Sequence, residues 1–348
     1  MVNQSVRELR ATIDAFARDC HAPHQAENRI LQLLLAGLRS ASHEGGQIPL
    51  LIGGVGVGKT YAAMAAARRY CETIAANPPV YVQIAPPGGG TFNFSVGCGQ
   101  IMRALGRAPA LVDLTARAPW DRSPRHVAVE ATQREIVQRR PGVLVLDEIE
   151  RIFGKGANEK GHLETVVWWA DTTGVPIMIL GNYEAARAPS LEPKPSRRLL
   201  PLHYEPYEGR DGQRPFLAPY KTLIGFLKER RALAESFAAD AAGRRLFQMT
   251  HGRVGETKKV LILASEIAFG HGRALTNEDL EEAISIKLTA PVRALFDRDL
   301  LKGQMLLTDA FSVLAASTTG TSKPSNRRGS KRLPGRRAPS YDPVEPAA

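Results

Sequence analysis

Apolar residues in this chain recur in two rhythms. Short runs of Ile, Leu and Val, bounded by Gly, Pro or polar residues, fall at Ile48–Ile52, Val80–Ile84, Val143–Leu146, Val175–Leu180 and Leu199–His203. Such runs fit strands buried on both faces, as in a parallel sheet covered by helices. Between them the spacing lengthens to three and four. Leu9, Ile13 and Phe16 share one helical stripe, and Ile30, Leu33, Leu34 and Leu38 share another, with Pro23 separating the two. Further helices are expected over 60–70, 96–106, 124–139 and 164–172. Strands alternating with helices argue for an α/β fold with a doubly wound parallel sheet.

From about Pro219 the pattern turns all-helical, with helices expected over 219–230, 232–240, 242–249, 255–270 and 276–288. Thr276-Asn277-Glu278-Asp279 is a helix-start signal. Residues 291–313 read as one more helical element. Pro86–Gly90 is a loop, and 108–124, with Arg117, Trp120 and Arg122, reads as irregular. From about Ala315 the chain is rich in Ser, Thr, Pro, Gly and Arg, a composition expected to be disordered. The expected organisation is an N-terminal helical segment (1–45), an α/β core (46–208), a small helical lid (209–314) and a basic tail (315–348). No internal repeat is visible. The N-terminal segment precedes the first strand and is placed to cover a bound base.

The chemistry concentrates where strands end. Directly after the first apolar run stands Gly53-Gly54-Val55-Gly56-Val57-Gly58-Lys59-Thr60, followed by Tyr61 and an Ala-rich helix. This strand, Gly-rich loop and Lys-Thr is a P-loop. Its glycines let the backbone turn tightly and aim N–H groups at a polyphosphate, assisted by the positive end of the helix that follows. Lys59 is expected to reach the outer phosphates, and Thr60 to hold Mg²⁺. The ligand this predicts is ATP with Mg²⁺. The run Val143–Leu146 ends in Asp147 and Glu148. Carboxylates at the C-terminal end of a buried parallel strand sit where such sheets bind ligands. Asp147 is expected to hold Mg²⁺, and Glu148 to polarise the attacking water.

Composition narrows the class. At 348 residues and 43% hydrophobic content the chain supports a sizeable core. No run reaches ~18 apolar residues, so no membrane span is expected. Three widely spaced cysteines, Cys20, Cys71 and Cys98, and a start unlike a secretory signal point to a reduced, cytoplasmic setting. Net charge is +11, which favours a polyanionic partner. From Thr318 to Ala348 seven basic side chains oppose two acidic ones, a surplus of five, which leaves the rest of the chain at +6.

Weaker candidates follow from position. Asn182 ends the fourth buried run, where a polar group can orient the attacking water. Arg197 and Arg198 enter the last core strand, where an Arg supplied to a neighbouring subunit would stabilise a transferring phosphoryl group. Sequence alone leaves open which of the two does so. Lys258, three residues after Gly255, opens a lid helix from which a cation can reach the γ-phosphate. Cys20, His21 and His24 lack a second Cys/His pair nearby and are read as chance.

With the P-loop, Asp147-Glu148, Asn182, Arg197/Arg198 and a helical lid in order, the chain resembles an AAA+ ATPase. Within that class it is similar to the TnsC/TniB group of transposition regulators, relatives of Mu B. That likeness rests on Gln83-Ile84-Ala85-Pro86-Pro87, Ile101–Gly106, Val145–Ile152 and the spacing of Gly181-Asn182 and Ser196-Arg197-Arg198, over about residues 25–290. Lys258 stands where that family usually carries Arg, and the long basic tail is not general in it. The resemblance implies ATP-bound subunits assembled head to tail, as rings or a helical filament, around duplex DNA. The assembly would mark a target and recruit a transposase, with hydrolysis driving disassembly. A TniQ-type target selector, alone or with an RNA-guided complex, would nucleate it, and the tail would dock the transposase. Binding of this kind needs phosphate contacts without base readout, expected at Arg103, Arg107, Arg117, Arg122 and Arg125. Two other readings share the P-loop: an ATPase remodelling a protein partner, and a passive nucleotide switch.

Overall fold

A computed structural model describes residues 2–20, 27–41, 46–84, 94–106, 125–151, 159–188, 197–207, 209–301, 303 and 305. The tail from Ala315, the segment 108–124, and His21 and His24 lie outside the described residues. The chain begins with helices α1 (Val2–Asp19) and α2 (Glu27–Ala41), then strand β1 (Ile48–Ile52) and helix α3 (Lys59–Thr73). Strand β2 (Val80–Gln83), helices α4 (Phe94–Ala104) and α5 (Arg125–Arg139) and strand β3 (Leu144–Asp147) follow. Helix α6 (Glu159–Thr173) leads to β4 (Ile177–Gly181) and β5 (Leu199–His203). Four helices come next: α7 (Gly209–Glu229), α8 (Ala239–Thr250), α9 (Val254–Gly270) and α10 (Asn277–Lys287). Residues 290–301 are again helical.

The five strands form one parallel sheet in the order β2-β3-β4-β1-β5. Successive side chains along a strand point to opposite faces, and both faces here are covered. Leu50, Ile52, Leu144, Leu146, Ile177 and Ile179 join residues of α4, α5 and α6 in one core. Leu51, Val143, Val145, Met178 and Leu180 face the other way, onto α2 and α3. The continuous apolar runs follow from this double burial. Because all five strands run in parallel, the P-loop, Asp147 and Asn182 come to one edge.

A third core joins α7 to α10 with Phe296 and Phe16 of α1. Ile13 and Phe16 bury as their stripe predicts, whereas Leu33, expected on the α2 stripe, is 37% exposed. Two helical expectations shift. Helix α7 begins at Gly209, ten residues before the anticipated start, and carries Pro215 and Pro219 inside it. Residues 232–238 are not helical: Leu233 bridges to Leu275, and Ala234 N–H donates to the Leu275 carbonyl. That backbone exchange is a long-range pairing that local periodicity does not encode. Helix α10 starts where its signal lies, with a capping box between Thr276 and Asp279.

Candidate nucleotide site

The loop after β1 is shaped by its glycines. Gly56 and Gly58 take positive φ values of 73° and 109°, a conformation strained for L side chains. Gly53 is required for a different reason, since a Cβ there would stand 2.5 Å from the Tyr204 carbonyl. Gly58 caps α3 without a side-chain hydrogen bond, so no local oxygen competes for the helix's first N–H groups. A helix start bare of a capping side chain suits an anion.

Lys59 folds onto this loop, donating to the Gly53 and Gly54 carbonyls at 2.8 and 2.7 Å. Burial pulls its ammonium down to about 8, against the opposing pull of Asp147, Glu150 and Asp299. Thr60 Oγ1 donates to Asp147 Oδ2 at 2.7 Å. The two side chains predicted to share a metal are therefore in contact across 87 residues of sequence. Tyr81 of β2 donates to the same oxygen at 2.9 Å. Burial first, then Asp147, pushes the Tyr81 phenol well above its usual range. Asp147 Oδ1 accepts the Glu148 N–H at 2.8 Å. Val55 and Tyr61 are half exposed on the loop and α3, and Val57 is buried beneath it.

Glu148 sits at φ 59°, a strained conformation for a side-chain-bearing residue. Its carboxylate is held on both sides: Gln83 Nε2 donates to Oε1 at 2.9 Å, and Arg151 Nη2 lies 2.6 Å from Oε2. Gln83 is opposite Asp147 in the β2–β3 register. Glu150, half-buried beside them, accepts the Asn182 N–H at 3.1 Å, and desolvation raises its pKa. Asn182 caps the short helical turn Tyr183–Arg187 by accepting the Glu184 N–H. It also lines a cavity of about 370 Å³ shared with Val55, Tyr183, Phe296 and Asp299.

The lid contact differs from the expectation. Lys258 does not reach the loop. Its Nζ donates to the Ala17 and Cys20 carbonyls, both at 2.8 Å, at the C-terminal end of α1. The N-terminus of α9 presses on the loop: a Cβ on Gly255 would stand 2.5 Å from the Gly56 carbonyl, and a Cβ on Gly56 would stand 2.5 Å from the Glu256 side chain. The N-cap of α9 is Arg253, with a fully buried side chain. Its Nη1 donates to the Val55 carbonyl at 2.7 Å and to Asp299 Oδ2 at 3.0 Å, and its Nη2 to the Phe296 carbonyl at 3.1 Å. Asp299 Oδ2 also accepts the Val55 N–H at 3.3 Å.

The paired arginines separate. Arg198 is tied down, its Nε donating to the Gly46 carbonyl at 2.6 Å and its Nη1 pairing with Asp171 at 2.5 Å. Arg197 is exposed. Of the expected DNA contacts, Arg103 is exposed on α4. Arg125 is turned inward, bonded to the Gly161 carbonyl and Thr165 and lying 5.2 Å over the Phe94 ring, and so braces α5 against α6 and α4. Arg107, Arg117 and Arg122 lie outside the described residues. Among the described residues no cluster of three His, Cys, Asp or Glu side chains is placed to hold a metal, and no helix is long and apolar enough to cross a membrane.

A parallel α/β sheet carries a P-loop at its C-terminal edge, and a helical unit reaches back to that loop. Residues 39–188 match the family model described as AAA domain. The fold is shared with the Orc1 protein of Aeropyrum pernix, solved in complex with DNA: TM-score 0.53, 20% identity, over 77% of this chain and 67% of that one. Domain III of the Thermotoga maritima replication initiation protein DnaA gives 0.50 and 13%, over 79% and 98%. The S. cerevisiae Hsp104-ADP complex gives 0.51 and 14%, over 82% and 45%. No curated protein matches the sequence.

Proposed function

We propose that this protein is a Mg²⁺-dependent ATPase that assembles on duplex DNA and acts as a regulator of DNA transposition. The observation that carries the nucleotide reading is the meeting of Thr60 and Asp147 at 2.7 Å beside a glycine loop and an uncapped helix start. A hydroxyl and a carboxylate form a hard-oxygen pair, which suits Mg²⁺ held jointly with phosphates. Lys59, the loop N–H groups and α3 would hold the polyphosphate. The bound Mg²⁺ would neutralise charge that develops on the phosphates.

This chain's own groups supply the rest. Glu148 accepts a proton from the attacking water once its carboxylate turns from Gln83 and Arg151. Asn182 orients that water from the end of β4. Arg253 carries positive charge to the rim of the loop, the role expected of Lys258. Arg197, exposed where Arg198 is tied down, is the side chain free to serve a neighbouring subunit.

DNA as partner is supported by the net charge of +11 and by the fold shared with Orc1 solved in complex with DNA. Phosphate contacts of this kind weaken steeply with salt. The transposition setting, with a transposase and a TniQ-type selector as partners, is supported by the segments Gln83–Pro87, Ile101–Gly106 and Val145–Ile152. The test is electron microscopy with duplex DNA, with and without a non-hydrolysable ATP analogue. Rings or filaments on DNA only with the analogue, absent in Lys59→Ala and persistent with ATP in Glu148→Gln, are expected. Nucleotide-dependent rings indifferent to DNA would overturn the DNA part of the reading in favour of a remodeller of protein partners.

A further inference from the structure

The phosphate loop already has an anion on it, and that anion belongs to the chain itself. After α10 the helical stretch 290–301 returns to the phosphate loop, where Phe296 and Asp299 line the same cavity as Val55 and Asn182. It is pinned at three places. Phe296 is buried, and its carbonyl accepts from Arg253 Nη2. Asp297 lies 3.3 Å from His251 Nδ1. Two residues on, Asp299 Oδ2 accepts from the Val55 N–H and from Arg253 Nη1.

The approach is close enough to require glycine beneath it. A Cβ on Gly54 would stand 2.9 Å from Asp299 Oδ2 and 2.7 Å from Arg253 Nη1. Asp299 is only 16% exposed. A loop N–H and a buried guanidinium thus converge on one carboxylate oxygen. Backbone N–H groups and cations converging on an oxyanion are what a phosphate oxygen requires.

We propose that Asp299 is an internal competitor for the outermost phosphate of the nucleotide, and that 290–301 is a latch that nucleotide binding opens. The inference rests on the nucleotide reading of the P-loop. Two anions at the Val55 crest repel, and the carboxylate is the one free to leave, because it is carried on a short helix held otherwise by Phe296, by Val292 packed on the lid core and by one exposed ion pair. Arg253 then passes from carboxylate to phosphate without losing a charged partner. Binding affinity is thereby reduced by the fraction of molecules in which the latch is closed.

The test is equilibrium binding of a fluorescent ATP analogue with Mg²⁺ to the full chain, comparing wild type, Asp299→Asn, Asp297→Asn and Lys59→Ala. Asp299→Asn keeps the shape and one hydrogen-bond acceptor but removes the charge. It is expected to bind about tenfold tighter, the size of one charge-assisted contact. Asp297→Asn, which breaks only the exposed ion pair of the latch, is expected to tighten binding by less than Asp299→Asn does. Amide hydrogen exchange over 290–301 is expected to speed up several-fold when the analogue is added to wild type. An Asp299→Asn affinity equal to or weaker than wild type, or exchange over 290–301 that slows with nucleotide, would overturn the latch. If wild type and Lys59→Ala alike bind no nucleotide, the P-loop reading itself fails. Binding that depends on Lys59 but is insensitive to Asp299 refutes the latch alone.

Discussion

Removing Arg253 tests the assignment of the lid cation more sharply than any other change. Its guanidinium is fully buried and donates to the Val55 and Phe296 carbonyls and to Asp299, with its Cζ 4.5 Å over the Phe296 ring. Arg253→Ala leaves Asp299 without its cation and two carbonyls short of a donor. Breaking one side of a buried ion pair costs about 3–5 kcal/mol. Asp299 keeps the Val55 N–H and some access to water, so a loss of about 3 kcal/mol is expected.

Lys258→Ala removes a cation from the C-terminal end of α1, worth about 0.5–1 kcal/mol. Urea unfolding of the two variants beside wild type measures the contrast, read as a shift in midpoint at constant slope. Nucleotide affinity provides the second reading. Arg253→Ala is expected to weaken it roughly tenfold or more, the loss of a charge-assisted contact, whereas Lys258→Ala leaves it within about twofold. If Lys258→Ala weakens nucleotide binding more than Arg253→Ala does, or if Arg253→Ala unfolds within about 1 kcal/mol of wild type, the reasoning is refuted.

Other expectations follow from the same contacts. Lys59, depressed to about 8 by burial, loses its proton near that pH without nucleotide. A bound polyphosphate would hold that proton to higher pH, so binding above about 8 takes up a proton. Affinity should then fall as pH rises, by up to about tenfold per unit; a flat profile from about pH 7 to 9.5, measured with the fluorescent analogue, would count against phosphate contact by Lys59. Tyr81→Phe removes a donor from Asp147 Oδ2, and the Mg²⁺ concentration giving half-maximal turnover should rise about tenfold. An unchanged Mg²⁺ requirement would limit Tyr81 to packing. Thr276→Ala breaks the capping box of α10 and should cost about 1–2 kcal/mol in urea unfolding, with nucleotide affinity unchanged.

The sheet and the phosphate loop were legible in the sequence because local rules govern them. Double-faced burial forces continuous apolar runs, and all five appear as strands of one parallel sheet. A backbone cradle for an anion forces glycine, and a Lys-Thr pair follows it at fixed spacing. Carboxylates at a strand end were expected beside that loop, and Thr60 does touch Asp147. The α10 cap was legible for the same reason, since Thr276 and Asp279 bond within a single turn.

What only the tertiary structure decided lies between segments far apart in the chain. Register places Gln83 beside Asp147 and Tyr81 on its oxygen, although the β2 run alone marks neither side chain as part of the site. Counting forward from Gly255 led to Lys258, yet the helix presents its N-terminus to the loop, so Arg253 at the N-cap makes the contact. Arg197 and Arg198 look alike as neighbours; only Gly46 and Asp171, brought in from elsewhere, tie one and leave the other exposed. Asp299 carried no signal at all, because a carboxylate on a helix acquires a role only when a loop 244 residues earlier offers it an N–H.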